Sequence, residues 1–337
     1  MFKGFVILKV MNIKPRSIKN DERGIGLLFE ILLVVVVLAV VGGVGYKVMK
    51  SKKEDKPAVT TSTETTEEWA YVDMAVEGEF ADADVVQTSD ATWRLYYATQ
   101  PEVVGNNFEI YSATSSDGKT WTEESGTRKT MATFPEVIKL KDGRYRMYFQ
   151  SAGVIKSAIS EDGLSFVDEA GTRIDKTNSV DLTFDNVAAP TIMQDEDDRF
   201  VMVYRGTINE RYAENTPNPT TQLFMWATSD DGLSFTKQGI AVDSRDATLN
   251  GQLDGPDIVL WDDGDYRIFA TTYTGVYEFT FDGTAFTNPT LALAGEAKQT
   301  DMGFSGAPPG DPTVAKIGDT WFMYYGKTTG IAYATLK

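Results

Sequence analysis

Neither cysteine nor histidine occurs in the 337 residues of this chain. The first absence excludes a disulfide framework and thiolate chemistry. The second removes Ser–His and Cys–His catalysis, imidazole zinc sites and imidazole pH switches near neutrality. Acid–base work is left to carboxylates, tyrosine or lysine, and no metal or cofactor site is expected. Charge is unevenly spread. Residues 1–57 carry 11 Lys+Arg against 5 Asp+Glu, and the remainder carries 21 against 44. An acidic domain behind a basic segment argues against nucleic acid as a partner.

What the chain does contain is repetition. The segment FPEVIKLKDGRYRMYFQSAGVIKSAISEDGLSF reads as three short strands and the start of a fourth, with Asp-Gly at the tight turns. Its first half recurs as ADVVQTSDATWRLYYA, FPEVIKLKDGRYRMYF, APTIMQDEDDRFVMVY, GPDIVLWDDGDYRIFA and DPTVAKIGDTWFMYYG. The aromatics that open the second strand, Trp93, Tyr145, Phe200, Tyr266 and Trp321, are 52, 55, 66 and 55 residues apart. That period fits propeller blades of four strands, which cannot bury both faces without stacking on their neighbours. The fold expected over residues 69–337 is therefore an all-β, five-bladed propeller of antiparallel blades. The last copy ends after its third strand, and residues 69–76 precede the first copy without a partner. These residues are expected to close the final blade, because an unclosed ring would leave open edges.

Upstream, residues 1–24 form a basic leader and residues 25–46 an apolar run with one acid, Glu30, long enough to cross a bilayer as a single helix. Residues 47–68 are polar and Thr-rich, the composition of a disordered linker. The arrangement predicts a membrane-anchored protein with the propeller on the extracytoplasmic side. The stretch ERGIGLLFEILLVVVVLAVV resembles the N-terminus of type IV prepilins and pseudopilins, in which a peptidase cuts after a glycine ahead of an apolar helix with an early Glu. That resemblance implies cleavage near Gly24 or Gly26 and a pilin-type assembly as partner.

The turn SSDGKTW, SEDGLSF, SDDGLSF and TFDGTAF carries Asp117, Asp162, Asp231 and Asp282, and its recurrence is assigned to turn geometry rather than to ligand binding. More promising are acids at the head of each innermost strand, where blades converge on the axis. They are Asp82 and Asp84, Glu136, none in the third copy, Asp254 and Asp257, and Asp311. Two carboxyl groups across one pocket can hydrolyse a glycosidic bond, one as proton donor and one as nucleophile or base. Arg205, Tyr97, Gln150, Tyr204 and Tyr273 are expected to end second strands toward the same face, where they are candidates to hold a sugar.

At these residues the chain resembles the five-bladed propeller glycosidases of the arabinanase, levansucrase and invertase type. The resemblance implies a base at Asp311 in Asp311-Pro312, an acid at Asp254 in Asp254-Gly255-Pro256, and a tuning acid at Asp84 or Glu136. The function expected is glycan binding with hydrolysis by the paired carboxylates Asp311, Asp84, Glu136 and Asp254. The alternative is a non-catalytic glycan- or ligand-binding or adhesion module on a pseudopilin-like anchor.

Overall fold

The computed structural model describes residues 68–99, 108–195, 197–216, 218–281, 286–295 and 310–337. The leader, the apolar run of 25–46, nearly all of the linker and the Asp282 turn lie outside them. Among the described residues no helix is long and apolar enough to cross a membrane.

Strand β1 (Trp69–Glu77) comes first, and four blades follow in chain order. The first is β2 (Phe80–Ser89), β3 (Thr92–Thr99) and β4 (Glu109–Ser115), with the two-residue strands β5 (Thr122–Glu123) and β6 (Lys129–Thr130) sharing the outer position. The second is β7 (Thr133–Lys139), β8 (Tyr145–Ser151), β9 (Val154–Ser160) and β10 (Val167–Asp168). The third is β11 (Asn186–Gln194), β12 (Phe200–Ile208), β13 (Thr221–Ser229) and β14 (Thr236–Val242). The fourth is β15 (Asp254–Leu260), β16 (Tyr266–Thr271), β17 (Gly275–Phe281) and β18 (Phe286–Ala294).

The fifth blade, β19 (Gly310–Ile317), β20 (Thr320–Lys327) and β21 (Gly330–Leu336), takes β1 as its outer strand. Pairing runs antiparallel from Trp69↔Leu336 to Glu77↔Gly330. Inner strands neighbour one another in the cycle β2, β7, β11, β15, β19 and back to β2. The described residues thus form a five-bladed propeller of antiparallel, mainly four-stranded blades.

Each interface between blades has its own apolar core, and the repeated aromatic explains why. Tyr145, Phe200, Tyr266, Trp321 and Trp93 each pack into the cluster shared with the preceding blade. One blade buries a single face against each neighbour, so the ring supplies burial that no blade finds alone.

The Ser-x-Asp-Gly turn adds a polar latch. In the first, Asp117 Oδ1 accepts from the N–H groups of Lys119 and Thr120, and Ser115 Oγ accepts from Gly118 N–H. The glycine carbonyl thereby points outward and accepts a tyrosine hydroxyl from the blade before it. Tyr324 donates to Gly118, Tyr96 to Gly163 and Tyr148 to Gly232, at 2.7–2.8 Å. The equivalent residue is Val203 in the third blade and Phe269 in the fourth. The blade after the third has the degraded sequence TFDGTAF, and the blade after the fourth ends on β1 and has no such turn. Hydroxyl and turn therefore occur together.

Tyr148 is fully buried. Its replacement by Phe leaves the Gly232 carbonyl unpaired inside the blade 2–blade 3 interface, at a cost of about 1–3 kcal/mol. Urea denaturation of Tyr148→Phe should show that loss, and an unchanged midpoint would remove the latch as a stabilising contact.

Candidate active site

The head of every inner strand carries the same irregularity. Pairing to the second strand slips at Ala81/Asp84, Thr133/Glu136, Ala188/Thr191, Asp254/Asp257 and Gly310/Thr313. Within each bulge one residue is left-handed: Asp82 (φ 53°), Phe134 (49°), Ala189 (45°), Gly255 (48°) and Asp311 (45°). Side chains at such bulges are re-aimed out of the ladder. The tripeptides that follow the bulge line one cavity at the axis, which includes Asp82, Phe134, Ala189, Gly255 and Asp311.

Two residues further along, a second set of side chains ties the blades together. Asp84 Oδ2 accepts from Val137 N–H at 2.8 Å, Glu136 Oε1 from Ile192 N–H at 2.7 Å, Thr191 Oγ1 from Ile258 N–H at 3.1 Å, and Asp257 Oδ2 from Val314 N–H at 2.6 Å. Each acceptor clasps the inner strand of the next blade. Asp84 and Glu136, two of the sequence-derived acids, belong to this clasp and are buried. Burial pushes Asp84 up to about 8 and Asp257 to about 7; Glu136 is raised by burial first and then by Asp84 and Asp257.

Asp311 and Asp82 line the cavity, as Glu136 and Asp257 of the clasp also do; Asp254, next to the lining residue Gly255, flanks its mouth. The Asp82 and Asp311 carboxyls are both raised, with burial as the largest cause. Burial pushes Asp82 up to about 7, opposed by the Phe134 N–H that its Oδ2 accepts at 3.2 Å. Asp311 is raised by burial and then by the charges of Asp254 and Asp82; its Oδ1 has no partner among the described residues. Asp254 forms an ion pair with Arg205, whose guanidinium stands 5.3 Å from the Phe134 ring centroid. Arg205 reaches the mouth from β12 past its register partner Ala188, where small side chains leave it room.

Gly255 allows the close approach. Four other blades hold non-glycine residues at the same φ, so conformation alone does not require glycine there. A Cβ at Gly255 would stand 2.3 Å from Asp311 Oδ1 and 2.4 Å from Asp311 Cα.

Of the remaining sequence candidates, Tyr97 is buried against Phe80 and Tyr111, and Tyr204 is buried in the core between blades 2 and 3. Gln150 pairs with Thr133 across β7 and β8. The Tyr273 hydroxyl accepts from Asn218 N–H and so anchors the long β12–β13 connection. None of these four lines the axial cavity, whereas Asp82 and Phe134 do. The signal for those two lies in aligned tripeptides: Asp82-Ala83-Asp84, Phe134-Pro135-Glu136, Ala189-Pro190-Thr191, Gly255-Pro256-Asp257 and Asp311-Pro312-Thr313. Among the described residues no group of histidine, cysteine, aspartate or glutamate side chains is arranged to hold a metal.

No family model matches the sequence, and no curated protein does. Solved structures match over most of the chain. A GH43_1 enzyme from Xanthomonas citri shares 14% identity at TM-score 0.55, over 79% of this chain and 89% of that one. A GH43 β-xylosidase/α-arabinofuranosidase from a compost microbial metagenome, solved with xylotriose, shares 15% at 0.55, over 80% and 95%. A structure from the GH130 family of mannoside phosphorylases, which contains hydrolases that target β-1,2-mannosidic linkages in Candida mannan, shares 14% at 0.55, over 78% and 85%. The class defined is the five-bladed β-propeller. Within that class, this chain resembles GH43 and GH130 glycoside hydrolase structures.

Two outcomes follow from the packing. A carboxyl whose pKa is higher folded than unfolded binds its proton more tightly in the folded state. Its stabilisation is complete below the ordinary value of 3.8 and is lost as pH rises through the folded value of about 8 for Asp84. The protein should therefore melt at a lower temperature at pH 8 than at pH 5. Asp84→Asn, which keeps the acceptor for Val137 and cannot ionise, should flatten that slope; calorimetry showing equal slopes would rule the clasp out as its source. Gly255→Ala should cost about 1–3 kcal/mol by overpacking against Asp311, and a variant as stable as wild type in urea would contradict the close approach.

Proposed function

We propose that the propeller is a carbohydrate-active module that hydrolyses a glycosidic bond at the mouth of its axial channel. One observation carries the reading: two carboxyls that burial raises, Asp82 and Asp311, stand beside a third, Asp254, that is ion-paired with Arg205. Glycoside hydrolysis needs such a division, with one carboxyl protonated at the leaving oxygen and one ionised to attack or to activate water. Burial of Asp311 makes it the proton donor, with Asp82 as a second raised carboxyl beside it. Asp254, charged against Arg205, is the nucleophile or base. The family resemblance gives these two residues the opposite roles; burial at one and the ion pair at the other favour this distribution. The axial cavity has a volume of about 20 Å³, room for about one water, so a terminal sugar of a polysaccharide would sit over its mouth rather than inside it.

The setting of this chemistry rests on the sequence. Residues 25–46 anchor the protein in a membrane, the acidic propeller is displayed on the extracytoplasmic side, and the prepilin-like motif makes a pilin-type assembly a partner. A second reading, a non-catalytic glycan-binding or adhesion module, is favoured by the small volume of the axial cavity.

Turnover and binding separate the two. Arabinan, fructan, xylan and mannan oligosaccharides are the panel. A substrate should be cleaved at a rate that falls as pH rises and the raised carboxyls, Asp311 and Asp82, lose their protons, Asp82 at about 7. Asp311→Asn and Asp254→Asn should each slow cleavage by about 10²–10⁴-fold. Calorimetric binding without turnover would support the adhesion module, and neither binding nor turnover on the whole panel would sink both readings.

A further inference from the structure

We propose that Phe134 is the positioning residue of the mouth: its backbone N–H fixes Asp82, and its ring holds the Arg205 guanidinium in place beside Asp254. The placing of a phenylalanine here has no backbone rationale. Its φ of 49° is a conformation in which a bulky side chain is a genuine outlier. Equivalent positions in the other blades hold Asp82, Ala189, Gly255 and Asp311. What distinguishes the second blade is that its left-handed residue faces Arg205 across the mouth.

Arg205 needs such a guide. It is the charged end of a long, flexible side chain from a second strand, its Nε has no partner among the described residues, and Ala188 and Ala189 beneath it offer no hydrogen-bonding side chain. An aromatic face 5.3 Å away, within cation–π range, restricts where the guanidinium can stand. The same residue donates its N–H to Asp82 Oδ2 at 3.2 Å. Phe134 therefore touches both halves of the site, the carboxyl pair through its backbone and the ion pair through its ring.

The groups facing Asp82 and Asp311 are Asp254 from β15, Arg205 from β12 and, further along the inner strands, Asp84, Glu136 and Asp257. Arg205 alone among them is a cation, and it lowers both mouth carboxyls; it is not among the leading influences on Asp84, Glu136 or Asp257. Moving the guanidinium should thus be felt at the mouth and not in the clasp. The catalytic consequence rests on the reading above, but the position of the arginine can be read without any substrate.

The experiment follows the carboxyl carbons of Asp82, Asp311, Asp84 and Asp257 by NMR titration of the full-length chain. Phe134→Ala, a residue that Ala189 shows to be compatible with this conformation, removes the ring and keeps the N–H. Phe134→Leu keeps the bulk without the aromatic face, and Phe134→Tyr keeps the face. Ala and Leu variants should raise the Asp82 and Asp311 midpoints by about one pH unit, the low end of what one nearby opposite charge imposes. Arg205→Met should do the same, while Phe134→Tyr, Asp84 and Asp257 stay at wild-type values. Mouth midpoints unmoved in Phe134→Ala would overturn the proposal, as would Asp84 and Asp257 moving by the same amount, which would mean general loosening. If the midpoints move as expected and no sugar is cleaved, the positioning role stands and the hydrolase reading fails.

Discussion

A left-handed residue at the head of each inner strand is the constraint on which the rest of this propeller depends. Such a conformation costs on the order of 1–3 kcal/mol for a residue other than glycine. Four of the five around this axis are not glycine, and they are sustainable only if the bulges enable something favourable. The side chain two residues on supplies it: in four blades that side chain accepts a backbone N–H from the next inner strand. The bulge turns one residue into the channel and aims another at the neighbouring blade, so the geometry that closes the ring also furnishes its mouth.

That double use explains why acids crowd the axis without acting alike. Asp84, Glu136 and Asp257 serve as acceptors for N–H groups, a task that Thr191 performs equally in the third blade. Replacement of an acid by threonine at that position shows that hydrogen bonding, rather than charge, is what the clasp needs. At the mouth the symmetry is broken differently. The third blade has no acid there, and the room left by Ala188 and Ala189 admits Arg205 from the adjacent strand. A cation then meets one edge of a carboxyl cluster, at Asp254, and leaves Asp82 and Asp311 on the other. The missing acid of the third blade and the arginine are two sides of one arrangement.

The ring was legible because its signals are periodic. Recurrence of Trp93, Tyr145, Phe200, Tyr266 and Trp321 reports the one contact every blade makes with its predecessor, and five copies imply five interfaces. The site was legible only in part. Asp254, Asp311 and Arg205 meet as a cluster, but Asp84 and Glu136 read the same in sequence and lie in the clasp. The difference is two positions along a strand, which becomes visible only once Gly255 and Phe134 are aligned with Asp82 and Asp311 at the left-handed position. Tyr97 and Tyr204 end second strands as a binding aromatic would, yet packing between blades uses the same residue type at the same place. Tyr273 is occupied by Asn218 of a connection whose path no periodicity announces.

In a chain without histidine the aspartates show how environment alone sets the pKa of one residue type. Asp117, Asp162 and Asp231 accept two backbone N–H groups each on exposed turns and are held below the ordinary value, with those hydrogen bonds as the largest cause. Asp82, Asp84 and Asp257 also accept backbone N–H groups, and they are raised, because burial outweighs the hydrogen bond. One donated N–H does not replace the water that a buried carboxylate loses, whereas the turn aspartates lose little. Among these aspartates the raised ones belong to the buried axis of the ring and the lowered ones to its exposed turns, a division that the architecture sets.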